Sequence, residues 1–437
     1  MRILTRFLLK LISADRLGYA ALQSVLLQLS AVLLNFLTGV ITARVLGASG
    51  RGVYAAATAW GMLLGSAATV GIADGILIQV RQRPQAARAI VLCGALTALT
   101  VASVLSIAAF IAMPLLLGSR DGTVDLARAS LLLAHIGVCG VIIRQAHAGQ
   151  GRYLAANLTA FLPPALYAFV LLGVLAAGKL TVATAIASVG AGAALAYLIL
   201  LPPLFRTLQG SLSEMGSAWR RLMAFARRAA FADIFALVAG WADRLLLIHL
   251  LAPAQLGIYV VAANLAQRIT LVSPSTGLLL SAMSAEDPQR AARLHHLALR
   301  VTIAAFLPLV ALLFLVDRLF MTLVYGAEFA AAVLVFRILV VDTVLGRLAG
   351  VTSQLYLVLG RPALNSTIRG LELVVVVATM AALAPRHGEA GAALGLLAGT
   401  CVRLVLAWVG LVTHLRVPFP RLWLTRADVV GVKAALD

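Results

Sequence analysis

Charge is what this chain has least of. Only 12% of its 437 residues are Asp, Glu, Lys or Arg, and the 16 acids are outnumbered by 35 bases. Soluble domains carry about a quarter charged residues, so this scarcity excludes an ordinary globular fold. Lysine is nearly missing: Lys10, Lys179 and Lys433 are the only three, and the other bases are arginine. No phosphate-cradling glycine loop with its lysine is present, nor any Ser/His/Asp set. Cysteine is equally sparse. Cys93, Cys139 and Cys401 lie inside apolar runs with no paired spacing, which argues against disulfides and zinc. The histidines lack ligand spacing, and His295 and His296, adjacent in sequence, diverge on a helix and read as a solvated loop pair. Neither a metal nor a cofactor is expected. Long polar stretches are missing too, and the longest connection, 206–228, is too short for a soluble catalytic domain.

What remains is apolar. Hydrophobic residues make up 62% of the chain, gathered in runs near the ~20 residues that cross a bilayer as helix, without the period-two alternation of a barrel. The runs fall at 18–43, 53–80, 89–117, 126–149, 153–177, 181–205, 229–251, 256–282, 300–320, 330–359, 365–385 and 389–414. The expected fold class is an all-α polytopic membrane protein of about twelve transmembrane helices.

The net charge of +19 does not point to nucleic acid, because the bases lie between apolar runs rather than on a polar domain. Anionic membrane lipids and topology rules account for most of them. With the amino terminus placed in the cytoplasm, the inner connections carry most of the arginine: Arg81, Arg83 and Arg88; Arg152; Arg206 and the 220–228 group; Arg290, Arg293 and Arg300; Arg361 and Arg369. The outer connections hold only Arg44, Arg51, Arg120, Arg128, Lys179, Arg318 and Arg386. Both termini are therefore expected inside. The leader MRILTRFLLKLIS lacks a cleavage site and places Arg2, Arg6 and Lys10 on one helical face, as an interfacial helix would.

A large-period repeat is present. Gly52 and Tyr54 recur as Gly257 and Tyr259, and Gly151-Arg152 recurs as Gly360-Arg361 at nearly the same offset. The expected organisation is an interfacial helix (1–16), a six-helix lobe (17–205), a basic cytoplasmic linker (206–228), a second six-helix lobe (229–415) and a cytoplasmic tail (416–437).

Six tracts carry a family resemblance: ARVLGASGRGVYAAATA (43–59), GIADGILIQV (71–80), ADRLLLIHLLAPAQLGIYVVAANLAQ (242–267), LVYGAEFAAAVLVFRIL (323–339), LYLVLGRPALN (355–365) and GEAGAALG (388–395). Tyr325, Gly326, Glu328 and Phe329, followed by Gly360-Arg361, are the most specific. The chain resembles the polysaccharide-transport branch of the multidrug/oligosaccharidyl-lipid/polysaccharide (MOP) exporter superfamily, which includes Wzx-type flippases. Two departures stand out: Ser281-Ala282 occupy a place where a leucine-proline pair often ends the eighth helix, and Asp74 occupies a place that is usually small or weakly polar. The resemblance implies two six-helix lobes related by a pseudo-twofold axis. It also implies an alternating cavity lined by the first, second, seventh and eighth helices, in a bacterial inner membrane.

The charges within the runs are the candidate site. Arg144, Arg244, Arg268, Arg337, Arg347 and Arg403 sit inside spans, where each costs about 2.5–3.5 kcal/mol at a helix centre and so asks for a partner or a wet cavity. Helical phase aligns Ser24, Gln28, Asn35, Thr38 and Thr42 in the first span, and Asp233, Gly240 and Arg244 in the seventh. It aligns Asn264, Gln267 and Arg268 in the eighth, and Thr343, Gly346, Arg347, Gly350 and Gln354 in the tenth. Hydrogen bonding between packed helices explains the hydroxyls and glycines but not the arginines. A cationic cavity reading assigns Arg244, Arg268, Asp243, Arg347, Arg337, Arg403, Asn35, Gln28, Asn264 and Gln267 to substrate: arginine forks suit pyrophosphate, amides suit sugar hydroxyls. Asp74, Asp233 and Asp342 are candidates for ion coupling. Arg369 and Glu372, three apart, read as a structural pair. Gly71, Gly75, Pro274 and Gly277 are candidate kinks.

The function expected is the flipping of an undecaprenyl-pyrophosphate-linked oligosaccharide, with a polysaccharide polymerase complex as a further partner. The alternatives are a multidrug exporter of the same fold and a membrane polysaccharide ligase or polymerase. A drug exporter wants a net acidic cavity, and an enzyme wants a carboxylate-bearing outer loop, for which Asp121 and Asp125 are the only clustered pair.

Overall fold

The computed structural model describes residues 16–117, 122–272, 288–415 and 417–419. The leader, Asp121, Pro274, Gly277, Ser281, Ala282 and nearly all of the tail lie outside them. In chain order the helices are α1 (Arg16–Ala68), α2 (Ile72–Gln82), α3 (Ala87–Leu117), α4 (Thr123–Ser130), α5 (Leu132–Gly149) and α6 (Tyr153–Ala176). They continue as α7 (Val182–Thr207), α8 (Met215–Leu250), α9 (Pro253–Arg268), α10 (Pro288–Phe320), α11 (Ala332–Val358) and α12 (Pro362–His414). No strand occurs among the described residues. Among the described residues, eight helical stretches are long and apolar enough to cross a membrane, and the chain is a multi-pass membrane protein.

Helices α1 and α12 run 53 residues each, more than twice what one crossing needs. Each is two spans joined at a glycine: Gly47 with φ 68° and ψ −179°, Gly388 with φ 58° and ψ −138°. An L side chain pays roughly 1–2 kcal/mol in the left-handed region, so only glycine breaks the helix cheaply there. The sequence suggested a connection at 44–52, and the chain instead stays helical through it apart from Gly47. Within α12 the two limbs pack closely: Thr379 Oγ1 donates to the Gly395 carbonyl at 3.0 Å, and a Cβ on Gly399 would stand 2.2 Å from Val376 Cγ2.

The chain divides into two compact units, Met1–Trp241 and Ala242–Asp437. The division falls inside α8, because the basic segment expected as a separate linker helix is continuous from Met215 with the seventh span. Ala218, Leu222 and Ala226, four apart, bury one face of that segment among Ile76, Ile90, Cys93 and Val138 in the core of the first unit. Arg220, Arg227 and Arg228 stay exposed on the other side. In the second unit, α10, α11 and α12 enclose Leu299, Leu348, Ala349 and Leu404, with Tyr356, Ile368 and Leu411 in a neighbouring cluster. The Tyr356 hydroxyl donates to the Ala407 carbonyl at 2.6 Å, fully buried.

The sequence repeat has a geometric counterpart. Gly151 (φ 73°) and Gly360 (φ 70°) end α5 and α11. The next residues, Arg152 and Arg361, donate their backbone N–H back to the carbonyls of His147 and Tyr356 at 2.9 and 2.8 Å. Both are helix C-termini closed by a left-handed glycine, and both arginines begin the following helix. One reading is overturned: His295 and His296 are in α10, not a loop. His295 is 1% exposed and its Nε2 lies 3.4 Å from Thr352 Oγ1.

Candidate functional site

In the first unit most of the polar stripe of the opening span serves packing. Thr38 and Thr42 are buried and donate to the carbonyls of Leu34 and Thr38 at 3.0 and 2.8 Å. Ser24 accepts from Asn157 Nδ2 at 2.6 Å. Gln28 and Asn35 are exposed, with Asn35 Nδ2 donating to the Ala31 carbonyl at 2.8 Å. Two coupling candidates are also engaged here. Gln145 Nε2 lies 3.4 Å from Asp74 Oδ1. The Asp233 carboxylate accepts the backbone N–H of Gly71 at 2.8 Å. Gly71 is the left-handed residue at which the second span breaks before α2, and a Cβ there would stand 2.6 Å from the Ala226 carbonyl oxygen. Arg51, placed by sequence in an outer connection, is buried at 9% exposure with its guanidinium 4.8 Å from the centre of the Tyr54 ring.

The second unit holds most of the candidate charges, and they sort by partner. Arg337 is ion-paired with Asp317, a carboxylate the sequence reading did not single out and which is 3% exposed. Arg403 pairs with Glu372 at 3.4 Å and reaches Ser353 Oγ at 3.4 Å. Arg369, which the i,i+3 spacing joins to Glu372, also lies in its field. Arg244 and Arg347 are exposed, as is Gln267, while Arg268 and Asn264 are half-buried. Arg144, in the first unit, is exposed.

Around the Arg403–Glu372 pair the second unit gathers a polar interior on four helices. Asp342 of α11 hydrogen-bonds the Thr400 side chain of α12 and faces Glu372, Asp243 and Arg403 electrostatically. Tyr259 of α9, at 4% exposure, lies in the field of Asp243, Asp342 and Arg244. Asp243 Oδ1, Asp342 Oδ1 and Arg403 Nε are buried without a hydrogen-bond partner among the described residues. Unpaired carboxyl oxygens are expensive in an apolar interior, and such groups concentrate where protons or cations bind. No cluster of three or more His, Cys, Asp or Glu with metal-holding geometry occurs among the described residues. Thr400, Ser353 and Asp317 were missed by sequence reading. Tyr259 carried a signal, as the repeat partner of Tyr54.

The comparisons with known proteins agree on this architecture. A family model described as "Polysaccharide biosynthesis protein" matches residues 20–278, more than half of the chain. No curated protein matches in sequence. Among solved structures, the lipid II flippase MurJ in an inward closed conformation superposes with a TM-score of 0.69 at 10% identity, over 94% of this chain and 91% of that one. An inward-facing multidrug resistance MATE transporter of the MOP superfamily gives 0.66 at 15% identity, over 93% and 95%. A MOP superfamily transporter from Pyrococcus furiosus, described by the reverse polarity of its binding pocket, gives 0.56 at 16% over 98% of each chain. At such identities these likenesses speak for the fold alone. With the matched family model, the all-helical architecture and the recurring Gly-Arg corners in hand, the chain belongs to the polysaccharide biosynthesis protein family and carries the MOP exporter fold.

Proposed function

We propose that this protein is a Wzx-type flippase. It moves undecaprenyl-pyrophosphate-linked oligosaccharide units from the cytoplasmic to the periplasmic leaflet of a bacterial inner membrane by alternating access. The units feed exopolysaccharide, capsule or O-antigen synthesis, with a polysaccharide polymerase complex as partner and both termini in the cytoplasm. The observation that carries the reading is the sorting of the deep arginines. Arg337 and Arg403 have acidic partners, whereas Arg268 and Arg347 have none among the described residues. Cations left over on apolar helices suit a pyrophosphate, which a guanidinium fork binds in two places. Arg244 and Asp243, Asn264 and Gln267, and Gln28 and Asn35 complete the proposed substrate set.

Asp342, with Asp243 and Glu372, is the proposed coupling site, where taking up a proton or a monovalent cation would relieve the buried carboxyl oxygens. Asp74 and Asp233 have hydrogen-bond partners in the first unit and are the weaker coupling candidates. This carboxyl cluster is also the one feature that favours the multidrug-exporter alternative. The test is rescue of polymer export in a strain lacking its own flippase. Arg268→Ala/Arg347→Ala, inserted at wild-type level, should lose export by about tenfold or more, as expected when about 1.4 kcal/mol or more of binding is removed. Full rescue by that variant, or efflux of cationic dyes without polymer export, would overturn the reading.

A further inference from the structure

A second basic site lies in the first unit. A cavity of about 490 Å³ opens between the end of α2, the α5–α6 corner and the end of α7. Its lining includes Arg81, Arg152, Gln150, Tyr153, Thr207 and Gln209, and no carboxylate. Arg152 is held in place: its Nη1 donates to Thr207 Oγ1 at 2.9 Å, and Gln150 Nε2 donates to the Thr207 carbonyl at 3.2 Å. The other guanidinium N–H groups of Arg152 are left for a ligand. Arg81 is exposed and makes no hydrogen bond or ion pair among the described residues.

The backbone contributes as well. Helix α6 starts at Tyr153 with no side-chain cap. Its first intrahelical bond is donated by the Ala156 N–H, to the Arg152 carbonyl, so the amides before it are free donors at the positive end of a 24-residue helix. Two guanidinium groups, the remaining N–H of the Gln150 amide and free helix amides border one volume with no acid to neutralise them. That donor set takes a phosphate. The surroundings select its source, because Tyr153 and Leu154 are 55% and 47% exposed beside the cavity and extend an apolar surface from it. We infer that the cavity seats the phosphodiester of an anionic phospholipid from the leaflet at this end of the unit, its acyl chains lying along the start of α6.

The repeat supplies an internal control. Arg361 occupies the same corner in the second unit, but Pro362 follows it, so the first amide donor of that helix is missing. The inference needs only the multi-pass membrane fold and is independent of which substrate is flipped.

Native mass spectrometry of the purified full-length protein, titrated with phosphatidylglycerol, tests it. Wild type and Arg361→Ala should retain one tightly held phosphatidylglycerol, with affinity reduced about tenfold in Arg81→Ala/Arg152→Ala, as loss of charge-assisted contacts predicts. Arg81→Ala alone removes no internal bond and should show several-fold weakening even if the double variant is poorly folded. Equal retention by wild type and Arg81→Ala, or an equal loss in Arg361→Ala, would overturn the site. Displacement of the lipid by millimolar inorganic phosphate alone would overturn the phospholipid as its occupant.

Discussion

Asp233, on the seventh span, accepts the backbone N–H of Gly71 at 2.8 Å, at the point where the second span breaks. This acceptor satisfies an amide that the break takes out of the regular helical ladder. Asp233→Ala should therefore lower the thermal unfolding midpoint in detergent, with a loss of about 1.5–3 kcal/mol for a hydrogen bond to a charged group. Asp233→Asn, which keeps an accepting oxygen, should recover most of it. An alanine variant that melts with the wild type would show that the contact contributes nothing.

A second prediction concerns close approach in the other unit. A Cβ on Gly410 would lie 2.3 Å from the Tyr356 hydroxyl oxygen but 3.4 Å from its Cζ. Gly410→Ala should destabilise by about 1–3 kcal/mol, the usual range for overpacking. Tyr356→Phe removes the clashing atom, so the double variant should be more stable than Gly410→Ala alone. The reverse order in a thermal-shift series would contradict the packing.

The Arg337–Asp317 pair predicts an asymmetry. Removing the arginine leaves a carboxylate buried at 3% exposure without its partner, and breaking such a pair from one side is worse than removing both charges. Arg337→Ala should depress yield and thermal stability, and adding Asp317→Asn should restore them. If the double variant is no better than the single, the pair is not what holds this corner.

Coupling has its own readout. Asp342→Asn keeps the size of the side chain and its capacity to bond Thr400 while removing the titratable charge. Lipid-linked substrate transport in proteoliposomes should fall steeply and lose its response to an imposed ion gradient, with unfolding temperature unchanged. Retained gradient dependence would remove Asp342 from the coupling role.

The apolar runs made the spans legible because a bilayer-crossing helix must be apolar nearly throughout, whatever packs against it. The Gly-Arg corners were legible because a left-handed helix terminus needs glycine in both repeats. Partner choice was not. Sequence spacing offers Glu372 the nearby Arg369, but the fold brings Arg403 to it from 31 residues away. Asp317, near the end of the ninth span, has no sequence spacing that joins it to Arg337, and only the packing of α11 brings the two together. The break between the first two spans was legible as the polar stretch around Arg44, Ser49 and Arg51, but its narrowing to the single residue Gly47 was not.

The course of α8 has an evolutionary consequence. The matched tracts put the joint between the two ancestral copies near residues 206–228, and Ala218, Leu222 and Ala226 within that stretch are packed into the first unit, which extends to Trp241. The opening turns of the helix that carries the seventh span thus complete the core of the first unit. A gene split at the ancestral joint would leave the first product with an open apolar slot at Ile76 and Cys93, while its complement carried the missing wedge. Separate expression of the two ancestral halves should fail for that reason, and a cut placed after Trp241 should leave the amino-terminal product with its core filled.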